Sequence, residues 1–470
     1  MSTEFTPPSQ DTIDALRETV NGSRDKLLGE LSELVAIPSV AWDSFDPADL
    51  ERSAEAVKGL LSELPFDSVE ILRVAQGDQP GHPAVVARTA PAPGYPTILL
   101  YAHHDVQPPG KRELWNTEPF EAVEKDGRLW GRGAADDKAG VMAHIGALRA
   151  FFEHTGEEPS LGVAVFIEGE EEVGSPGFED FLREYREQLA ADVIVIADSA
   201  NWEVGVPALT TSLRGVVGGI VELSVLDHSV HSGIYGGPVL DAPTLLARLI
   251  ATLHDDDGAV AVAGLLSEDD VEVDYEEDRF RADAGVLDGV QLAGTGSIAS
   301  RLWTKPALSV TGIDVTDVAT ASNSIAATVR AKLSLRIAPG QNPKDAGEAL
   351  RRHIEDHAPF GADVSFSVEE AGPSFRADTQ AVSSQIALWA FEQAWGRPAV
   401  KSGMGGSIPF TATLTKAYPD AQILITGIED PDTRAHSANE SLHIGDFLHA
   451  VTAEALVLAA LAEQGRANAE

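Results

Sequence analysis

Residues 97–105 read TILLYAHHD, an apolar run of strand length that stops at two imidazoles and a carboxylate. The pattern recurs. VAVFI precedes Glu168-Gly169-Glu170-Glu171-Glu172, VIVIA precedes Asp198, and QILIT leads to His436. A further acidic pair, Asp136-Asp137, follows the glycine-bearing GRGAA. Short buried runs separated by helical stretches predict a parallel α/β sheet, and in open sheets of that kind ligands bind outside the carboxyl ends of the strands. Hard acids and imidazoles gathered there point to divalent-metal hydrolysis.

Bulk properties narrow the field. A chain of 470 residues is too long for one ordinary domain, and 43% hydrophobic residues suffice for packed cores. Cysteine is absent, which excludes disulfides, thiolate metal sites and thiol nucleophiles. The N-terminal MSTEFTPPSQ has neither a basic nor an apolar leader region, and no apolar stretch reads as a membrane span. A soluble, cytoplasmic protein is expected. The net charge of −40 repels nucleic acid and anionic lipid, so neither is expected as a partner. Most of the acids, such as those in HDDDG at 254–258, read as solvated surface.

Along the chain, Ile13, Leu16, Val20, Leu27, Leu31, Leu34 and Val35 recur at helical spacing up to Pro38. After Asp137, a candidate N-cap, Val141, Met142, Ile145, Leu148, Phe151 and Phe152 predict an amphipathic helix. From about Val206 the character changes. Residues 215–226 and 326–337 alternate like antiparallel strands, with helices near 241–254 and 344–357. Longer helices and the QILIT strand return after about Gln380. The fold class is therefore α/β: a discontinuous catalytic domain (1–205 and 379–470) with a mixed, mostly parallel sheet flanked by helices, interrupted by an α/β lid or dimerisation domain (206–378).

In an extended segment residues two apart share a side, so His103 and Asp105 can face one site, with Asp105 orienting the imidazole. His104 is the alternative ligand. Asp136 and Asp137 are neighbours; one carboxylate can bridge two cations while the other caps the helix. In Glu170-Glu171-Glu172 the register stays open. One glutamate can bind metal while a neighbour takes a proton from water.

Seven segments, HHDVQP, GRGAADDK, EGEEEVGS, IADSANW, HSGIYGG, MGGSIP and AHSANE, occur in this order along the chain. The chain thereby resembles the cocatalytic dizinc metallopeptidase family that includes carnosinase, cytosolic nonspecific dipeptidase, carboxypeptidase G and acetylornithine deacetylase. The resemblance implies that Asp136 bridges two metals, one completed by His103 and Asp198 and the other by Glu172 and His436. It also implies a cis peptide between Asp136 and Asp137, Glu171 as general base and Asp105 as the group orienting His103. His231 would stabilise the oxyanion, and Arg336, Asn323, Gly406 with Gly405, and Ser407 would receive a substrate carboxylate. GRGAADDK and HSGIYGG are closest to the dipeptidase branch, in which the HSGIYGG histidine serves the site of a second subunit. The implied function is hydrolysis of dipeptides or short peptides with a free carboxylate terminus, by a hydroxide between two metal ions. Zinc is the expected metal, with manganese or cobalt possible at such ligands. The alternative is an N-acyl-amino-acid amidohydrolase. A homodimer through the inserted domain is expected.

Overall fold

The computed structural model describes residues 5–75, 77, 80–156, 160–269, 271–406 and 409–469. The runs that end in acids and imidazoles form the middle of one sheet. In spatial order its strands are Ser68–Leu72, Ala84–Thr89, Gly162–Glu168, Thr97–His103, Val193–Ala200, Gln422–Glu429 and Ala208–Leu213, and Val400–Met404 also pairs with the last of these. The four central neighbours run parallel, and the strands beyond them are antiparallel. Gly162–Glu168 and Thr97–His103 are buried throughout, which is why both faces are apolar instead of alternating. Because the four central strands are parallel, His103, Glu168, Asp198 and Glu429 all lie at or near the carboxyl ends of these strands, on one end of the sheet.

Helix Lys138–Thr155 is buried against this sheet and beside the C-terminal helix Ile444–Ala469, which also touches the sheet, with Gln10–Gly22 and Arg24–Val35 packed on it. The N-terminal helical run is thus two helices, broken at Ser23. One expectation needs correction. Ile444–Ala467 is long and apolar enough to span a bilayer by length and composition. Most of it is buried against its own unit, so its apolarity serves the core.

The chain divides into two compact units: residues 1–211, 377–402 and 413–470, and residues 212–376 with 403–412. The segment 403–412, placed by sequence in the second catalytic stretch, therefore groups with the inserted unit. That unit is built on an antiparallel sheet ordered Ala307–Asp314, Thr328–Ile337, Gly215–Ser224 and Asp363–Gly372. Thr328–Ile337 buries every second residue along most of its length, and its apolar side is covered by helices Ala242–Ala251 and Pro343–Asp356. On the outer strand Ala307–Asp314 and beyond it, Ile313, Val315 and Val318 stay exposed.

Candidate metal centre

His103 is the last residue of its strand, and its ring orientation is fixed from two sides. Nδ1 donates to the Asp105 carbonyl at 3.1 Å and lies 3.4 Å from Asp105 Oδ1. A carbonyl only accepts, so Nδ1 carries a proton, and Nε2, 3.2 Å from Asp136 Oδ1, is the nitrogen left to meet a cation. His104 turns the other way. It is buried with Nε2 2.9 Å from the Pro83 carbonyl, and burial lowers it to about 4. That packing needs Gly169, since a Cβ there would meet the Pro83 carbonyl at 2.3 Å and His104 Nε2 at 2.7 Å. His104 is thereby a packed core histidine.

Asp136 divides its oxygens. Oδ1 faces His103, and Oδ2 lies 3.0 Å from His436 Nε2, which is itself 3.3 Å from Glu172 Oε2. His103, Asp136 and Asp198 form one group of potential ligand atoms and Asp136, Glu172 and His436 a second, each within 4.8 Å. Two observations test whether cations fit. Among the described residues His103 Nε2 and Glu172 Oε1 are buried without a hydrogen-bond partner. Uncompensated buried polar atoms are costly, and a divalent ion at each of the two groups would satisfy them.

The electrostatics agree with that demand. Burial, with crowding from Asp198, Asp105 and Asp136, pushes Glu171 up to about 7 against the pull of His103. Glu172 rises to about 8 and Asp198 to about 6, each through burial and neighbouring carboxylates. Burial would also raise Asp136, but the imidazoles of His103 and His436 hold it well below the usual carboxylate range. His436 is raised to about 9, chiefly by Asp136 and then by Glu172 against the effect of burial. This many carboxylates close together require positive charge.

Three groups support these ligands; Asp105 is marked by its register beside His103, whereas Gln107 and Glu440 carry no chemical cue in the sequence. Asp105 accepts the Glu171 N–H at Oδ1 (3.2 Å) and the Glu172 N–H at Oδ2 (2.9 Å), so one carboxylate orients His103 and fixes the glutamate turn. Gln107 donates to Glu172 Oε2 at 2.6 Å. Buried Glu440 accepts from Arg132 at 2.5 Å and from the N–H groups of Gly133, Ala135 and Asp136 at 3.0–3.1 Å, which clamps the loop carrying Asp136. Gln107 and Glu440 lie inside quoted motifs, but spacing does not say what they bond.

Asp137 corrects its expected role. It occupies the N-cap position of Lys138–Thr155 without a side-chain cap bond, and its Oδ2 accepts the His103 N–H at 3.1 Å. The Asp136–Asp137 peptide is cis. Glu170 Oε1 accepts the Gly177 N–H at 2.7 Å, which ties that side chain to its own loop. His436 sits at φ 59 in a loop anchored by Asn439, whose side chain bonds the Leu114 carbonyl and the Asn116 N–H.

The remaining candidates lie in the inserted unit. His231 and Asn323 are exposed, on either side of the pairing between Val230–His231 and Ser324–Ile325. His231 Nδ1 accepts the Gly233 N–H at 3.0 Å, so Nε2 carries the proton of the neutral ring and is free to donate. Arg336 is half-buried near the end of its strand, and among the described residues its side chain makes no hydrogen bond or ion pair. Among the described residues nothing lies within 4 Å of a Cβ added at Gly406; Ser407 lies outside them.

Residues 99–460 match the family described as peptidase family M20/M25/M40. The cysteinylglycine-S-conjugate dipeptidase of Corynebacterium striatum is 35% identical, over 92% of this chain and 95% of that protein. The beta-Ala-His dipeptidase of Rattus norvegicus is 26% identical over 94% of each chain. Among solved structures, human carnosine dipeptidase 1 aligns with a TM-score of 0.73 at 25% identity, covering 98% of this chain and 100% of that one.

Proposed function

Because the chain belongs to peptidase family M20/M25/M40, we propose that it hydrolyses the amide bond of dipeptides and short peptides that carry a free C-terminal carboxylate. The observation that carries this reading is the divided carboxylate of Asp136, one oxygen toward His103 and the other toward His436. In this reading His103 and Asp198 hold one divalent cation, Glu172 and His436 the other, and Asp136 both. Zinc suits such donors, and manganese or cobalt would also be accepted. When bound, such a pair lowers the pKa of a water and polarises a carbonyl.

The side chains supply the rest. Glu171, raised to about 7, takes the proton of the attacking water and returns it to the leaving nitrogen, a double duty that a group titrating near neutrality can perform. The Nε2–H of His231 donates to the developing oxyanion. Arg336, with Asn323, the Gly405–Gly406 backbone and Ser407, receives the substrate carboxylate. That the relatives are named as dipeptidases supports the dipeptide reading over the N-acyl-amino-acid alternative. The test is a hydrolysis panel of dipeptides against N-acetyl and N-succinyl amino acids, on protein reconstituted with single metals. Dipeptides should turn over faster, and a preference for the acyl substrates would overturn the reading.

The same proposal includes a cytoplasmic homodimer formed through residues 206–378, with His231 and Asn323 completing the site of the other subunit. Exposed Ile234 and Tyr235 beside His231, and exposed Ile313, Val315 and Val318, support an apolar face that a second copy would cover. Mixing His231→Ala with Glu171→Ala under conditions that exchange subunits should restore activity. Each mixed dimer would then hold an intact site and a site lacking both groups. Failure to recover despite proven exchange, or a monomer at assay concentration, would rule out action in trans.

A further inference from the structure

Arg214 lies between strands Ala208–Leu213 and Gly215–Ser224, is 7% exposed, and is held almost wholly by carbonyls. Its Nε donates to Gly405 O at 3.0 Å and its Nη1 to Arg301 O and Lys305 O, each at 3.3 Å. Its own N–H donates to Met404 O at 3.2 Å, so Arg214 fixes the Met404–Gly405 backbone twice. Among the described residues no carboxylate pairs with it, and Nη2 has no acceptor. A buried guanidinium without a counter-ion is costly in any protein. Here 74 acidic residues were available to supply one.

The neighbouring charge makes the arrangement costlier still. Val216 pairs directly with Arg336, and Arg214 is two residues before Val216, just past the end of the ladder, where its charge comes close enough to the Arg336 guanidinium to feel it. Burial, and then Arg336, lowers Arg214 to about 10. Gly405 permits the close approach: a Cβ there would lie 2.8 Å from Arg214 Nη2 and 3.1 Å from Leu302 O. Among the described residues nothing lies within 4 Å of a Cβ added at Gly406, next in the chain. Two adjacent arginines, one glycine backbone and no anion describe a receptor for a carboxylate, whose two oxygens match a guanidinium edge.

We propose that Arg214 is a positioning and specificity residue for the substrate carboxylate, holding the Gly405–Gly406 backbone and placing a second positive charge near Arg336. The inference rests on the reading that this enzyme takes substrates with a free carboxylate terminus, and it adds a residue to that pocket.

The experiment measures kcat and KM of the full-length, metal-reconstituted wild type, Arg214→Lys, Arg214→Gln and Gly405→Ala on one dipeptide and on its C-terminal amide. Melting temperature and metal content are followed alongside. Losing a hydrogen bond to a charged group predicts a KM for the free-acid dipeptide raised roughly 10- to 100-fold in Arg214→Gln. Arg214→Lys should fall between Gln and wild type, kcat should change far less, and the amide should be turned over as before. Gly405→Ala keeps both charges but displaces the guanidinium, so it should reproduce the KM effect even if Arg214→Gln folds poorly. Equal losses on acid and amide, or an unchanged KM in Arg214→Lys and Gly405→Ala, would overturn the proposal. A wild type that fails to prefer acid over amide would overturn the free-carboxylate reading as well. A wild-type preference that survives in all three variants would overturn only the role of Arg214.

Discussion

Glu171→Ala is expected to lose roughly 10²- to 10⁴-fold in kcat, the usual cost of removing a positioned general base, while still binding its metals. The separation of these two effects follows from how the turn is held. The N–H groups of Glu171 and Glu172 both donate to Asp105, so the turn is fixed by the backbone and does not depend on the Glu171 carboxylate. Glu172, whose Oε2 is bonded by Gln107 and lies 3.3 Å from His436, is the member of the pair placed among the ligands. Glu171 Oε2 stands 4.0 Å from His103 Nε2, next to the ligands but outside both groups of ligand atoms. Glu171→Gln, which keeps the shape and removes the base, should be as inactive as the alanine variant. Metal analysis of the purified variants, with single-turnover rates, checks both halves. Metal loss in proportion to activity would place the ligand at Glu171 and move the register by one residue.

The sequence made the sheet legible because burial leaves a strong mark. Strands covered on both faces read as unbroken apolar runs, and the polar residues that stop them mark the strand ends where the site is built. The alternating strands of the inserted unit were readable for the complementary reason: one face of Thr328–Ile337 is covered and the other is wet. Illegible from spacing alone was anything decided by side-chain direction. Alternation with Asp105 points to His103 as the ligand with His104 as the alternative, and the approach of Pro83 over Gly169 shows that the His104 ring turns into the core. Asp137 reads as a helix cap, yet its carboxylate bonds the strand end across the site. Arg214 gave no signal, since a lone arginine in LRG says nothing of the backbone carbonyls it meets 87, 91 and 191 positions later in the chain. The grouping of 403–412 with the inserted unit is hidden for the same reason, being a fact of tertiary packing between distant segments.

Removal of the shared carboxylate should have the largest effect of all. The wild type is expected to bind about two divalent cations per chain, and Asp136→Ala should retain neither tightly. Changing groups that merely orient a ligand weakens binding 10- to 100-fold, and a carboxylate common to both positions should cost more than the upper end of that range. The four remaining groups would then stand as two incomplete pairs, His103 with Asp198 and Glu172 with His436, and hydrolysis should fall to background. The pH dependence of binding has a definite sign. Cations bind the deprotonated ligands, while crowding and burial hold Glu172 at about 8 and Asp198 at about 6, and Asp136 and Glu172 keep His436 charged up to about 9. Affinity should therefore increase as pH rises from 6 to 9, fall as pH drops through the same window, and binding at pH 7 should release protons. Calorimetric titration of the chelator-stripped protein in buffers of different ionisation enthalpy measures stoichiometry and proton release together. A single equivalent in the wild type, two tightly held ions in Asp136→Ala, or binding at pH 7 with no proton release would each refute the shared-carboxylate centre. The last of these would be the most informative, because it would mean that the crowded carboxylates are already ionised and balanced by a charge other than the metals.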